Sequence, residues 1–125
     1  MRIFPAIILG LVLLCSANRL QAEDWPGWRG PRGDGSSLEQ NIPTRWSQKD
    51  NIAWKVEVPG VGYASPVILG DAVFLVTCDE KTKERILLCL DRRTGRELWR
   101  RVVIRAPLEA IHRLNSRASS TPATD

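Results

Sequence analysis

The sequence has little of the chemistry from which active sites are usually built. It contains a single histidine, His112, and three cysteines among its 125 residues. A lone histidine without a second histidine, a thiolate or a carboxylate cluster makes a poor metal site. No nucleophile stands beside a base, and no pair of carboxylates marks a cleft. We therefore predict no catalytic residue and no metal ligand in this chain, which favours a non-enzymatic role. We interpret His112 as a polar loop residue.

A basic stripe is missing as well. Lysine and arginine together number 18 against 14 aspartate and glutamate residues, giving a net charge of +4. The arginines of residues 85–101 lie among acidic residues around turns. Nucleic-acid-binding proteins instead gather basic residues on one face, with aromatic residues between them. The sequence therefore predicts no nucleic-acid partner.

The amino-terminal segment is typical of an export signal. Arg2 provides a positive start, and residues 3–15 form a nearly unbroken apolar run. This run is shorter than the roughly 20 apolar residues that a membrane-spanning helix needs. We predict a signal peptide over residues 1–22, cleaved after Ala22, and a periplasmic or cell-surface location. An uncleaved membrane anchor is the alternative, and membrane contact is expected only through this segment.

The three cysteines divide between the signal and the rest of the chain. Cys15 would carry a lipid in a bacterial lipoprotein, but a small residue would then precede it, and Leu14 does not fit. Cys78 and Cys89 lie on consecutive apolar segments joined by a polar turn. They form either a disulfide, which export would permit, or two buried thiols. We favour the thiols, because a bridge across one hairpin requires a special geometry.

Residues 23–51 are predicted to form an ordered loop segment. Within residues 24–35, four glycines and two prolines exclude a helix or a central strand. Two tryptophans, Trp25 and Trp28, are expected to pin this loop onto a neighbouring surface. The tripeptide of residues 32–34 (RGD) matches a cell-adhesion motif and leaves that interpretation open. A phosphate-binding glycine loop is disfavoured because no strand precedes it and no helix follows it.

From residue 52 onward the pattern is one of strands and tight turns. Glycine, proline and aspartate separate short apolar runs rich in β-branched residues, and no helical period appears among them. The runs predict an antiparallel meander with strands at residues 53–58, 64–69, 72–78, 86–91 and 97–104. Residues 108–114 follow Pro107 with apolar positions three apart and predict a short helix.

A tryptophan recurs together with its surroundings. Residues 52–58 (IAWKVEV) return as residues 97–103 (ELWRRVV), so that Trp54 and Trp99 are 45 residues apart. One four-stranded propeller blade repeats at roughly 40 to 45 residues. Residues 65–71 (SPVILGD) also return in weaker form as residues 121–125 (TPATD). We therefore predict an all-β chain whose domain, residues 52–125, contains one β-propeller blade of four antiparallel strands at 64–104. Flanking strands would belong to an incomplete propeller.

Several motifs resemble the bacterial pyrroloquinoline-quinone-like (PQQ-like) β-propeller repeat proteins, the superfamily of the quinoprotein alcohol dehydrogenases. The matching pieces are residues 64–67 (ASPV) with 70–71 (GD), residues 88–91 (LCLD) with 94–95 (TG), and residues 97–99 (ELW). In such blades a tryptophan docks onto a neighbouring turn. The resemblance therefore implies that Trp99 packs over the turn at Thr94 and Gly95. It gives a structural role to Trp54, Trp99, Asp91, Thr94 and Gly95.

The resemblance implies a fold more than an activity. It suggests an exported, non-catalytic scaffold that binds a protein or a surface polymer, with the remaining blades or another protein as partners. The alternative is the amino-terminal part of a quinone-dependent alcohol or sugar dehydrogenase, which would need pyrroloquinoline quinone and calcium. A fragment without independent function is a third interpretation. Quinone ligands in this family come from several blades, so no cofactor-binding residue can be assigned, and we expect no cofactor in this chain alone.

Overall fold

A computed structural model describes residues 22–40 and 42–125. These residues form one open antiparallel sheet of four strands, arranged in the order β1-β2-β3-β4. The strands are β1 (Val67–Leu69), β2 (Ala72–Asp79), β3 (Glu84–Asp91) and β4 (Glu97–Arg105). The all-β class and the four-stranded antiparallel meander are thus confirmed. The described part of the chain contains no helix long and apolar enough to cross a membrane. The predicted signal peptide and Cys15 lie outside the described residues, except for Ala22.

The turn between β3 and β4 is closed by a single carboxylate. Oδ1 of Asp91 accepts hydrogen bonds from the backbone N–H groups of Arg93 and Thr94, at 3.0 and 2.8 Å, and from the Thr94 hydroxyl. The Gly95 N–H donates to the Asp91 carbonyl at 2.8 Å. Gly95 has φ of +71°, a left-handed conformation that costs glycine little. Asp91, Thr94 and Gly95 therefore fix the β3–β4 hairpin.

Both faces of the sheet are covered at β2 and β3. One face aligns Val67, Phe74, Cys89 and Trp99 across the four strands. The opposite face contains the buried residues Val73, Thr77, Ile86, Leu88 and Leu90. The Thr77 hydroxyl donates to the Pro59 carbonyl at 2.6 Å, so the segment before the sheet contacts this second face. The core therefore lies around the two central strands.

The two edges of the sheet differ. On the β1 side, Trp25 forms an antiparallel bridge with Ile68, with N···O distances of 2.8 and 2.9 Å. Val61 forms a second bridge with Cys78, beyond the end of the short strand β1. On the other side, every residue of β4 is exposed. One edge is therefore paired by loop segments, and the other edge is open among the described residues.

The strand predicted at residues 53–58 is wrong. These residues are irregular, and the first backbone bridge after them is the one between Val61 and Cys78. Trp25 already occupies the free edge of β1, and Gly60 turns the chain with φ of +83°. The segment is instead held by side chains, above all that of Trp54.

The helix predicted at residues 108–114 is also wrong. Residues 106–125 are irregular, with one turn closed by the Asn115 N–H on the His112 carbonyl at 2.9 Å. Leu114 is 68% exposed, whereas Leu108 and Ile111 are partly buried, so the three apolar residues do not share one buried face. A helix this short depends on such burial. The Ala118 carbonyl instead accepts the N–H groups of Tyr63 and Ala64, both at 3.0 Å.

Cys78 and Cys89 are buried free thiols, as favoured from the sequence. The register places Cys89 opposite Phe74, four residues along β2 from Cys78. With about 3.3 Å per residue along the strand and about 5 Å between strands, their Cα atoms are roughly 14 Å apart, about twice the separation that a disulfide allows. Burial raises the pKa of both thiols. Both are therefore poor nucleophiles.

Candidate functional site

The turn between β3 and β4 receives a tryptophan from the chain before the sheet. A Cβ atom added to Gly95 would lie 2.5 Å from Cε3 of Trp54, so the indole packs directly on the glycine. The Trp54 indole N–H also donates to the Arg92 carbonyl at 2.8 Å. Only a residue without a side chain leaves room for this contact. Trp54 and Gly95 therefore join the irregular segment at residues 51–60 to the sheet.

The prediction that Trp99 covers the Thr94–Gly95 turn is wrong, because Trp54 occupies that place. The register places Trp99 opposite Cys89, and its ring lies over the sheet beside Phe74, with centroids 5.9 Å apart and planes at 51°. Trp99 remains 38% exposed. A tryptophan does pack on this turn, and it is the first of the repeated pair, Trp54.

The amino-terminal loop is pinned by one tryptophan and not by two. The Trp25 ring packs on Gly30, where an added Cβ would lie 2.7 Å from three ring atoms. Trp28 is 65% exposed and contacts Arg29, whose guanidinium lies 4.6 Å from the ring centroid. The expectation that Trp28 anchors the loop is therefore wrong.

A carboxylate organises the rest of this loop. Glu23 accepts two hydrogen bonds from one Arg32 nitrogen at 2.7 and 2.8 Å, one from the Ser37 hydroxyl and one from the Leu38 N–H. Asp34 accepts from the N–H and the hydroxyl of Ser36 at 2.8 and 2.7 Å. The charged groups of the RGD tripeptide thus form hydrogen bonds within the loop, and both residues remain exposed.

Protonation of Glu23 should loosen the amino-terminal loop. The Arg32 guanidinium and the Ser37 hydroxyl lower the pKa of this carboxyl to about 2. Because the pKa in the folded protein lies below the ordinary value of 4.5, the stabilising contribution of Glu23 is complete above that value. It is lost as pH falls from about 4.5 to about 2. Glu23→Gln removes this titrating group. We therefore expect hydrogen-exchange protection of residues 30–38 to fall less over this pH range in the variant than in the unmodified chain. Glu57→Gln, an exposed carboxyl outside this loop, is the control, and an unchanged pH profile in Glu23→Gln would contradict the assignment.

Arg92 ties the beginning of the described chain to the sheet. Its guanidinium donates to the carbonyls of Gly70 and Ala22, at 3.1 and 2.8 Å, and contacts Asp24 at 3.3 Å. The same Asp24 oxygen accepts the Gly70 N–H at 2.9 Å. The sequence analysis missed this role, because nothing in the run of arginines distinguishes Arg92 from its neighbours.

The loop before Trp54 contributes a groove that the sequence analysis also missed. Its volume is about 480 Å³, and it is open to solvent. The groove is lined by Trp46, Ser47, Gln48, Ile52, Trp54 and Lys55. Trp46 is 70% exposed. We call this feature the two-tryptophan groove.

The remaining candidate groups do not converge. His112 is exposed in a loop, where its Nδ1 accepts the Leu114 N–H at 3.3 Å. Ser116 and Ser119 contact each other through their hydroxyls at 3.0 Å, and Asn115 accepts from Ser119. Within residues 22–40 and 42–125, no three His, Cys, Asp or Glu side chains are placed to hold a metal ion. Comparison of the chain with protein-family models, with curated proteins and with solved structures found no match.

Proposed function

We propose that this chain is an exported PQQ-like β-propeller repeat protein that acts as a non-catalytic binding scaffold for a protein or a surface polymer. The observation that carries the proposal is the packing of Trp54 on Gly95 in a four-stranded meander. This contact links the segment before one sheet to a hairpin turn of that sheet. Trp99 follows Trp54 at a spacing of one blade, so in a propeller it would contact the same turn of the next sheet.

The exposure of the fourth strand supports a role in assembly. Leu98, Val103 and Ile104 are 46%, 60% and 52% exposed on β4. Trp99 adds a partly exposed ring to the same strand. Apolar surface concentrated on one strand marks a contact region more often than scattered apolar residues do. A neighbouring blade or a binding partner would cover it.

The carboxyl groups whose pKa is lowered also fit a structural role. Arg100 lowers the pKa of Glu97, Arg105 lowers that of Glu84, and Thr94 lowers that of Asp91. Each shift has a local partner in a strand or turn. None of these shifts creates the raised carboxyl pKa that a general acid would need.

The described residues do not fit a quinone site with calcium. Calcium takes six to eight oxygen ligands, several of them carboxylates. The described carboxylates are dispersed among turns and ion pairs, and no three of them converge. The dehydrogenase alternative thus has no donor set in this part of the chain.

A quinone titration of the full chain tests the scaffold proposal. We expect no saturable change in the absorbance of pyrroloquinoline quinone in the presence of calcium, because no donor set converges. We also expect no dye reduction with alcohols or sugars. A quinoprotein dehydrogenase freed of its cofactor is the positive control. Saturable binding at micromolar concentration, equivalent to about 8 kcal/mol, would replace the scaffold with the enzyme alternative.

A further inference from the structure

The two-tryptophan groove is held open by an ordered loop. The Asn51 side-chain amide donates to the Arg45 carbonyl at 2.7 Å, and Asn51 itself has φ of +57°. The Ser47 N–H and hydroxyl donate to Asp50 at 3.1 and 2.7 Å. These contacts close residues 45–51 into a compact loop. Trp46 is therefore presented to solvent by a structured turn.

The second ring of the groove is fixed in orientation. Trp54 is held by Gly95 and by the hydrogen bond from its indole N–H to the Arg92 carbonyl. Its ring also lines the groove. A ligand would thus meet one indole that is already oriented, which lowers the cost of ordering the site on binding.

The polar groups of the groove select the charge of its ligand. Gln48 and Lys55 make no side-chain hydrogen bond or ion pair with the described residues, whereas Asp50 is engaged by Ser47. Among the described residues that line the groove, Lys55 alone carries a formal charge. Its ammonium repels cations, although two indoles would otherwise suit a cationic ligand. The charge therefore favours a ligand that carries a carboxylate.

We infer that the two-tryptophan groove binds an acidic oligosaccharide, with a sugar ring on Trp46 and a carboxylate near Lys55. The C–H bonds of a pyranose ring are weakly positive and pack on the negative face of an indole. Gln48 supplies a donor and an acceptor for hydroxyl groups. This inference rests on the scaffold function proposed above, and it names the surface polymer as an acidic polysaccharide.

Trp28 offers a matched comparison within the same chain. It is 65% exposed, close to the value of Trp46, but the guanidinium of Arg29 already covers its ring. It lines none of the described grooves. Trp28→Ala therefore removes an exposed indole without touching the proposed site.

The test is an NMR titration of the full chain that follows the indole N–H resonances of its five tryptophans. The probes are a galacturonic acid tetramer, a glucose tetramer and a thymidine oligonucleotide. We expect the acidic tetramer to shift the Trp46 and Trp54 resonances, with saturation at about 0.1 to 1 mM for so open a site. Trp46→Ala should weaken binding about tenfold or more, as the loss of a stacking ring does elsewhere. Trp28→Ala should leave it unchanged.

Lys55→Gln separates charge recognition from stacking. We expect this variant to bind the acidic tetramer no better than the neutral one, and added salt to reduce the difference in the unmodified chain. Equal binding of both tetramers by the unmodified chain would contradict the proposed preference for an acidic ligand. Absence of any saturable shift, or a preference for the oligonucleotide, would overturn the saccharide site altogether. Those outcomes do not contradict the scaffold proposal, because the quinone titration and the dye assay test it separately.

Discussion

Trp54→Ala is expected to lower the free energy of unfolding by about 3 to 5 kcal/mol, the range for a large aromatic removed from a packed site. The substitution takes away the indole that covers Gly95 and the hydrogen bond to the Arg92 carbonyl. Trp54→Phe keeps a ring and loses the N–H donor, so it separates the contribution of ring packing from that of the hydrogen bond. The hydrogen bond alone should account for about 1 kcal/mol. Urea unfolding followed by circular dichroism gives both values.

Substitutions of Trp99 and Trp46 are the controls for Trp54→Ala. Trp99→Ala should cost less than Trp54→Ala, because Trp99 is 38% exposed and packs beside Phe74 without a hydrogen bond from its indole N–H to the described residues. Trp46→Ala should change stability by no more than about 0.5 kcal/mol, as exposed substitutions usually do. A larger loss for Trp99→Ala than for Trp54→Ala would contradict the docking of Trp54 on Gly95.

Gly60→Ala is expected to cost about 3 kcal/mol and to detach residues 59–61 from the sheet. The new Cβ would lie 2.4 Å from the Cys78 carbonyl oxygen, and Gly60 has φ of +83°. The left-handed conformation costs about 1 to 2 kcal/mol for alanine. The clash also displaces the two hydrogen bonds between Val61 and Cys78, each of which contributes about 1 kcal/mol. Hydrogen exchange at these two amides and urea unfolding measure the two effects.

Gly33→Ala isolates the conformational part of that cost. Gly33 has φ of +72°, and a Cβ atom there would meet nothing within 4 Å. We therefore expect a loss of only about 1 to 2 kcal/mol and unchanged exchange at Val61 and Cys78. Equal exchange at these amides in both variants would show that Gly60 does not hold the bridge.

The central sheet could be predicted because its signals are local. Apolar runs with turn residues between them located β2, β3 and β4 to within two residues at each end. The turn at Asp91 and Gly95 was visible because the side chain that closes it is three residues from Thr94. Strand pairing across short turns also follows from sequence order, so the meander did not depend on distant contacts.

The remaining features depend on contacts between distant parts of the chain. Residues 53–58 have the composition of a strand, but whether they pair depends on a free edge, and Trp25 occupies the edge of β1. The choice between Trp54 and Trp99 as the ring on Gly95 likewise depends on the path of the chain. The groove beside Trp46 could not be predicted from the sequence, because its loop is polar and its second ring, Trp54, also packs on Gly95.

The open edge of β4 has a consequence for the behaviour of the chain in concentrated solution. Nine consecutive exposed residues present unpaired backbone groups together with apolar side chains, which is a template for pairing with another chain. Arg100 and Arg105 form ion pairs with Glu97 and Glu84, whereas Arg101 adds a further positive charge to this strand. We expect this charge to oppose contact between two such edges, and dissolved ions to screen it. Colloidal stability should therefore be greatest in dilute buffer, with turbidity rising as salt is added.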